Sequence, residues 1–185
     1  MNYKKYQNSR DTAWEILIRE HITELPVSMT AICRSMGIEI GLYTPKDDNA
    51  GKTIMLPDGP RIYVNKLDIP QRQRFTAAHE LGHILAGDIG KYHLVNREPS
   101  SHDNPVEQAA NVFASRLLAP ACVLWGCGVQ SPEEIAELCN ISQQAARYRW
   151  ERMKILYERN KFLTSPLERK VFRQFEKYIK GHKLH

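Results

Sequence analysis

His79, Glu80 and His83 lie within five residues, His79-Glu80-Leu81-Gly82-His83. Residues four apart on an α-helix share a face, so both imidazoles can reach one Zn²⁺ at about 2.0–2.1 Å. Glu80 is rotated off that face, which suits a general base acting on water better than a ligand. The string is short, and on an ordinary surface helix it would be two solvated histidines and a glutamate, so the flanking residues decide. Pro70 is placed for a first helical turn, residues 72–78 continue with helix formers, and Phe75, Ala78, Gly82 and Leu85 recur at the spacing of a buried stripe. Gly82 keeps the face beside a metal free of bulk, and Gly87 with Asp88 supplies a C-terminal stop.

Two histidines need a third protein ligand, and the candidate is Glu107 in Asn104-Pro105-Val106-Glu107. With Asn104 as N-cap and Pro105 at N1, Glu107 also fits a capping box and needs no metal to explain it. Two features favour a ligand. Ala110, Phe113, Ala114, Leu117 and Leu118 form an apolar stripe that must pack on something, and the motif helix is the nearest strong partner. One turn on from Glu107, Asn111 is placed to orient Glu107 or a ligand histidine by a hydrogen bond.

Phe75-Thr-Ala-Ala-His79-Glu80-Leu-Gly-His83-Ile-Leu, followed by Glu107-x-x-Ala110-Asn111-x-Phe113-Ala114-x-x-Leu117-Leu118-x-Pro120, resembles the ImmA/IrrE family of zinc metallopeptidases. The resemblance covers roughly residues 10–160, including the lead-in Leu25-Pro26-Val27 and two short strands before the motif helix. It implies that His79, His83 and Glu107 are zinc ligands and Glu80 the catalytic carboxylate. It also implies a helix-turn-helix repressor of a mobile element or stress response as substrate, and a sheet edge along the cleft on which a peptide could bind as an added strand. Many relatives place another histidine about a turn after the second ligand, where this chain has Asp88.

The 185 residues suffice for one core with small appendages, and 42% hydrophobic content is that of ordinary globular proteins. No apolar run near 18 residues is expected, and Met1 to Arg10 is polar, so the expectation is a cytoplasmic protein without a membrane segment. Cys33, Cys122, Cys127 and Cys139 contain no C-x-x-C pair and read as reduced, partly buried thiols, with Cys122 and Cys127 flanking an apolar turn. The net charge of +5 is uneven: residues 142–185 hold 12 Lys/Arg against 4 Asp/Glu. Such a surplus can attract nucleic acid or an acidic protein, although a solvated helix face is the commoner explanation.

The elements expected around the motif are helices over Thr12–Glu24 and Ser28–Met36, a strand Ile38–Tyr43, a loop at 45–51, and strands Thr53–Met55 and Arg61–Val64. The last two pair as a hairpin through Pro57-Asp58-Gly59-Pro60. The connection Asp88–Asp103 holds Tyr92, His93 and His102 as candidate oxyanion stabilisers, each as readily an ordinary surface residue. Beyond Pro120, Ser131-Pro132-Glu133-Glu134 opens a helix, Asn140 suits a left-handed turn, and Ser142 caps a second helix over Gln143–Met153, a helix-turn-helix layout. Were that helix to enter a major groove, Gln143, Gln144 and Arg147 would lie toward its N-terminal half, with Arg149 and Arg152 near phosphates. Packing or protein binding explains the same layout. A last helix runs from Pro166 to about Tyr178 with Leu167, Val171, Phe172, Phe175 and Tyr178 in a stripe, and Gly181–His185 reads as a frayed tail.

The expected architecture is an α+β, zincin-like metallopeptidase core over residues 1–130, with a helix-turn-helix-like helical extension over 131–185 packed on it. The expected activity is a zinc-dependent endopeptidase that cleaves a helix-turn-helix repressor and so switches genes on. DNA is a less favoured partner, and the oligomeric state is left open. The rival from another class is a DNA- or partner-binding regulator whose zinc site is structural or vestigial. Glu80 argues against it, since a structural site has no use for a base there.

Overall fold

The structure, a computed structural model, describes residues 3–46, 50–88 and 104–185. It is an α+β chain whose described residues form nine helices and one three-stranded sheet, divided into two compact units: residues 1–9 with 28–114, and residues 10–27 with 115–185.

The first unit carries α2 (Met29–Ser35), β1 (Glu39–Tyr43), β2 (Gly51–Leu56), β3 (Gly59–Asn65), α3 (Pro70–Ala86) and residues 105–114 of α4 (Pro105–Leu118). The expected hairpin forms. β2 and β3 pair antiparallel from Gly51↔Val64 to Leu56↔Gly59, and Gly59, at φ +133°, takes the backbone conformation that closes the turn. β1 adds to the other side of β3 in parallel, Glu39↔Arg61 through Tyr43↔Asn65, so the order is β1-β3-β2 and both outer strands are edges. Alternation along β3 buries Ile62 and Val64, against which α3 packs.

Helix α3 begins with Pro70 at its first position and ends at Gly87, whose φ of +68° is left-handed. The N–H groups of Gly87 and Asp88 then cap the Ile84 and His83 carbonyls at 3.1 Å each. Its burial departs from the expected stripe. Every residue from Thr76 to Gly82 is buried, whereas Phe75 and Leu85 are only half-buried. A stripe describes a helix packed on one side. α3 instead has β2 and β3 on one flank and α2 and α4 on others, so its middle two turns are enclosed whatever their phase.

The second unit contains residues 10–19 of α1 (Tyr3–Arg19), the end of α4, α5 (Ala121–Cys127), α6 (Pro132–Cys139), α7 (Gln143–Glu158), α8 (Pro166–Gln174) and α9 (Glu176–Gly181). α1 starts nine residues before the expected Thr12 and stops at Arg19, not Glu24; His21 follows in a left-handed conformation, φ 51°. Gln174 fastens this exit, its Nε2 donating to the Leu17 and Ile22 carbonyls at 2.7 and 2.6 Å.

The residues between Cys122 and Cys127 are helical, not a turn, and all four cysteines are buried. The run Pro105–Cys127 corrects the expectation that no apolar stretch approaches 18 residues. By length and composition it could cross a membrane, but 72% of its apolar window is buried within the protein, as in the core helix of a globular domain.

α6 and α7 adopt the helix-turn-helix layout, with Asn140 left-handed (φ 47°, ψ 54°) and the Ser142 hydroxyl accepting from the Ala145 N–H at 3.2 Å. α7 continues five residues past Met153. The expected single last helix is two, because Phe175 (φ −89°, ψ 4°) interrupts it. Nor is the C-terminal segment frayed: Leu184 N–H donates to the Cys127 carbonyl at 2.8 Å, and His185 Nε2 lies 3.0 Å from Glu134 Oε1. Gly128 makes this docking feasible, since a Cβ there would stand 3.2 Å from the His185 carbonyl oxygen.

Candidate metal and catalytic site

The site is assembled within the first unit from α3, the first turn of α4 and β2. Position 79 and position 83 lie one turn apart on α3, and the rings converge edge to face with centroids 4.7 Å apart and Nε2 atoms 2.9 Å apart. Glu107 reaches them from the first turn of α4. Its Oε2 is 3.2 Å from His79 Nε2 and its Oε1 3.2 Å from His83 Nε2. Its carboxylate is directed to the histidines, and Asn104 caps the helix, its Oδ1 accepting from the Val106 N–H at 2.9 Å.

His79 and Glu107 are buried and His83 half-buried. A carboxylate there would be costly without compensation. Hydrogen bonds from the His79 and His83 rings hold its carboxyl well below the usual range, outweighing the desolvation that burial imposes. Its place in the first turn of α4 adds the favourable field of a helix N-terminus.

Two imidazole nitrogens and a carboxylate, one of whose oxygens faces each ring, thus converge. Tetrahedral ligands bound to zinc at 2.0–2.1 Å stand about 3.3–3.4 Å from one another. The two Nε2 atoms stand 2.9 Å apart and each has a Glu107 oxygen at 3.2 Å, a nitrogen and oxygen donor set whose spacing lies within a few tenths of an ångström of that requirement and which suits a zinc ion. The outer nitrogens have partners too. His79 Nδ1 is 2.8 Å from Asn111 Oδ1, so Nδ1–H can donate to Asn111, which would leave the Nε2 lone pair to a metal once one replaced the proton shared with Glu107. His83 Nδ1 lies 3.8 Å from Asp88 Oδ2, close enough for electrostatic attraction but beyond hydrogen-bond distance.

Glu80, next to His79 but off the ligand face, is buried and accepts a 2.8 Å hydrogen bond at Oε2 from Thr53 Oγ1 of β2. Thr53 is the site residue that sequence reasoning did not single out. Thr53 is 27 positions from its partner, and no local pattern marks a threonine in a strand as the neighbour of a particular glutamate. Tyr92, His93 and His102 lie outside the described residues.

Residues 33–151 match the profile of peptidase family M78, the IrrE N-terminal-like domain. The chain belongs to the ImmA/IrrE family. Over 101 residues it is 32% identical to the radiation response metalloprotease IrrE of Deinococcus radiodurans, a match that covers 50% of this chain and 31% of the relative. A Mycobacterium tuberculosis transcriptional regulator shares the fold at a TM-score of 0.54 and 18% identity, over 78% of this chain and 48% of that one. The ImmA/IrrE chain described here therefore spans about a third of the matched protease and about half of the matched regulator.

In the second unit, the structure separates the residues expected along a groove-reading helix. Gln143, Gln144, Arg147, Tyr148 and Glu151 line one open face of α7. Arg149 does not join them. It is 2% exposed and its Nε donates to the Ala119 carbonyl at 2.8 Å, so its expected position near phosphates is corrected: one residue past Tyr148 the helix has turned about 100° and faces inward.

Proposed function

We propose that the chain is a zinc-dependent endopeptidase whose substrate is a helix-turn-helix transcriptional repressor. The observation that carries this reading is the convergence of His79 Nε2, His83 Nε2 and the Glu107 carboxylate at 2.9–3.2 Å, with a buried carboxylate, Glu80, beside them that is not one of the three donors. A purely structural site has no need of that fourth group. Family membership adds the reaction class, and the repressor is the substrate that the resemblance implies.

In this reading His79, His83 and Glu107 hold the ion, and Asn111 keeps the His79 ring in the tautomer that binds it. Zinc, when bound, lowers the pKa of a coordinated water toward about 7 and polarises the scissile carbonyl. Glu80 takes a proton from the attacking water and passes it to the leaving amine as the C–N bond breaks, so one carboxylate serves first as base and then as acid. Burial of Glu80 excludes competing solvent from that proton path, and the Thr53 hydroxyl holds its Oε2.

The test is to incubate the zinc-loaded full chain with the repressor encoded nearest its own gene, alongside Glu80→Gln. Discrete cleavage by the wild type and none by Glu80→Gln, with zinc content equal in both, is the expected result. Equal cleavage by the two proteins would remove Glu80 from the mechanism. An intact repressor in both would remove that substrate.

A further inference from the structure

We propose that Thr53 is a positioning residue for Glu80, held at working distance by the absence of a side chain at Gly51. This rests on the reading of Glu80 as the proton-transferring carboxylate.

β2 and α3 run alongside each other with matched rungs. Two residues along a strand advance about 6.6 Å and four along a helix about 6.0 Å, so Gly51 and Thr53 can face Thr76 and Glu80 in turn. They do. At the first rung the strand comes so close that a Cβ on Gly51 would collide with Thr76 Cγ2 and stand 2.9 Å from the Tyr63 carbonyl oxygen. At the second rung that closeness brings Thr53 Oγ1 to 2.8 Å from Glu80 Oε2. Any larger residue at position 51 would push β2 outward and lengthen the second rung with it.

The bond does something specific to Glu80. A glutamate has three side-chain torsions, and burial alone restricts them without selecting one. A hydroxyl on a strand paired in register to β3, Thr53↔Ile62, is a fixed donor that holds Oε2 in one place. A hydrogen bond to a charged group has the strength to hold one rotamer among several. Because β2 is an edge strand, the same residue ties the position of that edge to the orientation of the carboxylate.

The experiment compares Thr53→Val, which keeps the β-branched shape and removes the donor, with Thr53→Ser, which keeps the donor. Three quantities are read: kcat and KM on a quenched fluorescent peptide library, zinc affinity by chelator competition, and the Glu80 carboxylate position in crystal structures of both variants. Thr53→Val should lower kcat about ten- to a hundredfold with KM within about twofold, Thr53→Ser should recover to within about threefold of wild type, and zinc affinity should stay level in both. In the crystals Glu80 should leave its wild-type rotamer in Thr53→Val and keep it in Thr53→Ser. Unchanged kcat in Thr53→Val, a loss carried by KM, or a Thr53→Ser variant as slow as Thr53→Val would each overturn the proposal. If the wild-type chain cleaves nothing in the library, the peptidase reading is what fails, and the crystal structures still decide the positioning role: Glu80 in its wild-type rotamer in Thr53→Val overturns it.

Discussion

Gly82 of α3 faces Phe113 of α4 so closely that a Cβ at position 82 would stand 3.0 Å from Phe113 Cδ1 and 3.3 Å from the Ala110 Cα. The two helices that supply the three donors are therefore packed at the separation that a bare glycine allows. Glu107 lies one turn before Ala110 on the helix that Gly82 meets, so the separation at the glycine governs how near the carboxylate comes to His79 and His83.

Gly82→Ala tests this coupling. Alanine in place of glycine favours the helix by about 1 kcal/mol, and overpacking against Phe113 and Ala110 costs about 1–3 kcal/mol, so the net effect on stability is small. Displacement of α4 by a few tenths of an ångström acts directly on the Glu107 distances. Zinc affinity, measured by chelator competition, should fall by a larger factor than the metal-free midpoint of denaturation would suggest. An unchanged zinc affinity would show that Phe113 absorbs the methyl without moving Glu107.

The three donors should differ from their outer partner in the size of their effect. His79→Ala, His83→Ala or Glu107→Ala should each reduce bound zinc from about one per chain to near none, because each removes one of only three protein ligands. Asn111→Ala leaves all three in place and releases the His79 ring, for which a loss of about ten- to a hundredfold in affinity is expected. Metal content after dialysis and a competition titration separate the two classes. Full retention of zinc by Glu107→Ala would return that residue to a purely local role at the start of α4.

What the sequence revealed and what it did not follow from the range of each interaction. His79, Glu80 and His83 are one helical turn, and the Pro70 and Gly87 boundaries of α3 are local backbone chemistry, so spacing alone locates them. Glu107 was ambiguous because Asn104-Pro105-x-Glu107 satisfies a capping pattern as well. Only the approach of α4 to α3 shows its carboxylate at the histidines, with the cap made by Asn104. Thr53 could not be read at all, since its significance lies wholly in the β2–α3 approach. The direction of Arg149 failed for a related reason: neighbouring α7 residues differ by 100° in phase, and which phase faces inward depends on the Ala119 carbonyl 30 positions earlier. The docking of Leu184 depends likewise on a distant carbonyl, that of Cys127, and the docking of His185 on the distant Glu134 side chain.

The buried thiols give the folded state a characteristic alkaline limit. Burial pushes the Cys33 thiol up to about 12 and that of Cys127 to about 11, from an ordinary value of 9.0. Between the ordinary and the shifted values the unfolded chain has lost these protons and the folded chain has kept them, so stability must fall as pH rises. The contribution is intact below about pH 9 and is progressively lost toward pH 11–12. Tyr178, raised to about 12 from 10.0 by burial, acts in the same direction over the upper part of that range. Denaturation midpoints taken from pH 7 to 11 should be level at first and then decline, with a shallower decline in Cys33→Ala. At pH 8 the folded protein should resist thiol-reactive dyes that label all four cysteines in denaturant. Rapid labelling of the native protein would mean that at least one thiol is open to solvent.

The open face of α7 should bind DNA weakly and without preference for sequence. Gln143, Gln144, Arg147 and Tyr148 stand on it, but Glu151 shares the face and Arg149 is withdrawn to the Ala119 carbonyl, which leaves the face with less positive charge than the surplus over residues 142–185 suggests. Association driven by phosphate contacts weakens with salt at a logarithmic slope of about −0.9 per phosphate neutralised, so Arg147→Ala should reduce the slope by about one for every DNA fragment alike. Base readout through Gln143 or Gln144 would instead separate one fragment from the others and lose that separation on substitution. Binding to fragments of the protein's own locus, measured from low to physiological salt for the full chain, Arg147→Ala and Gln143→Ala, distinguishes the two. The expected outcome is parallel weakening on all fragments and no effect of Gln143→Ala. A preference of about a thousandfold or more for one fragment, abolished by Gln143→Ala, would make α7 a sequence-reading helix.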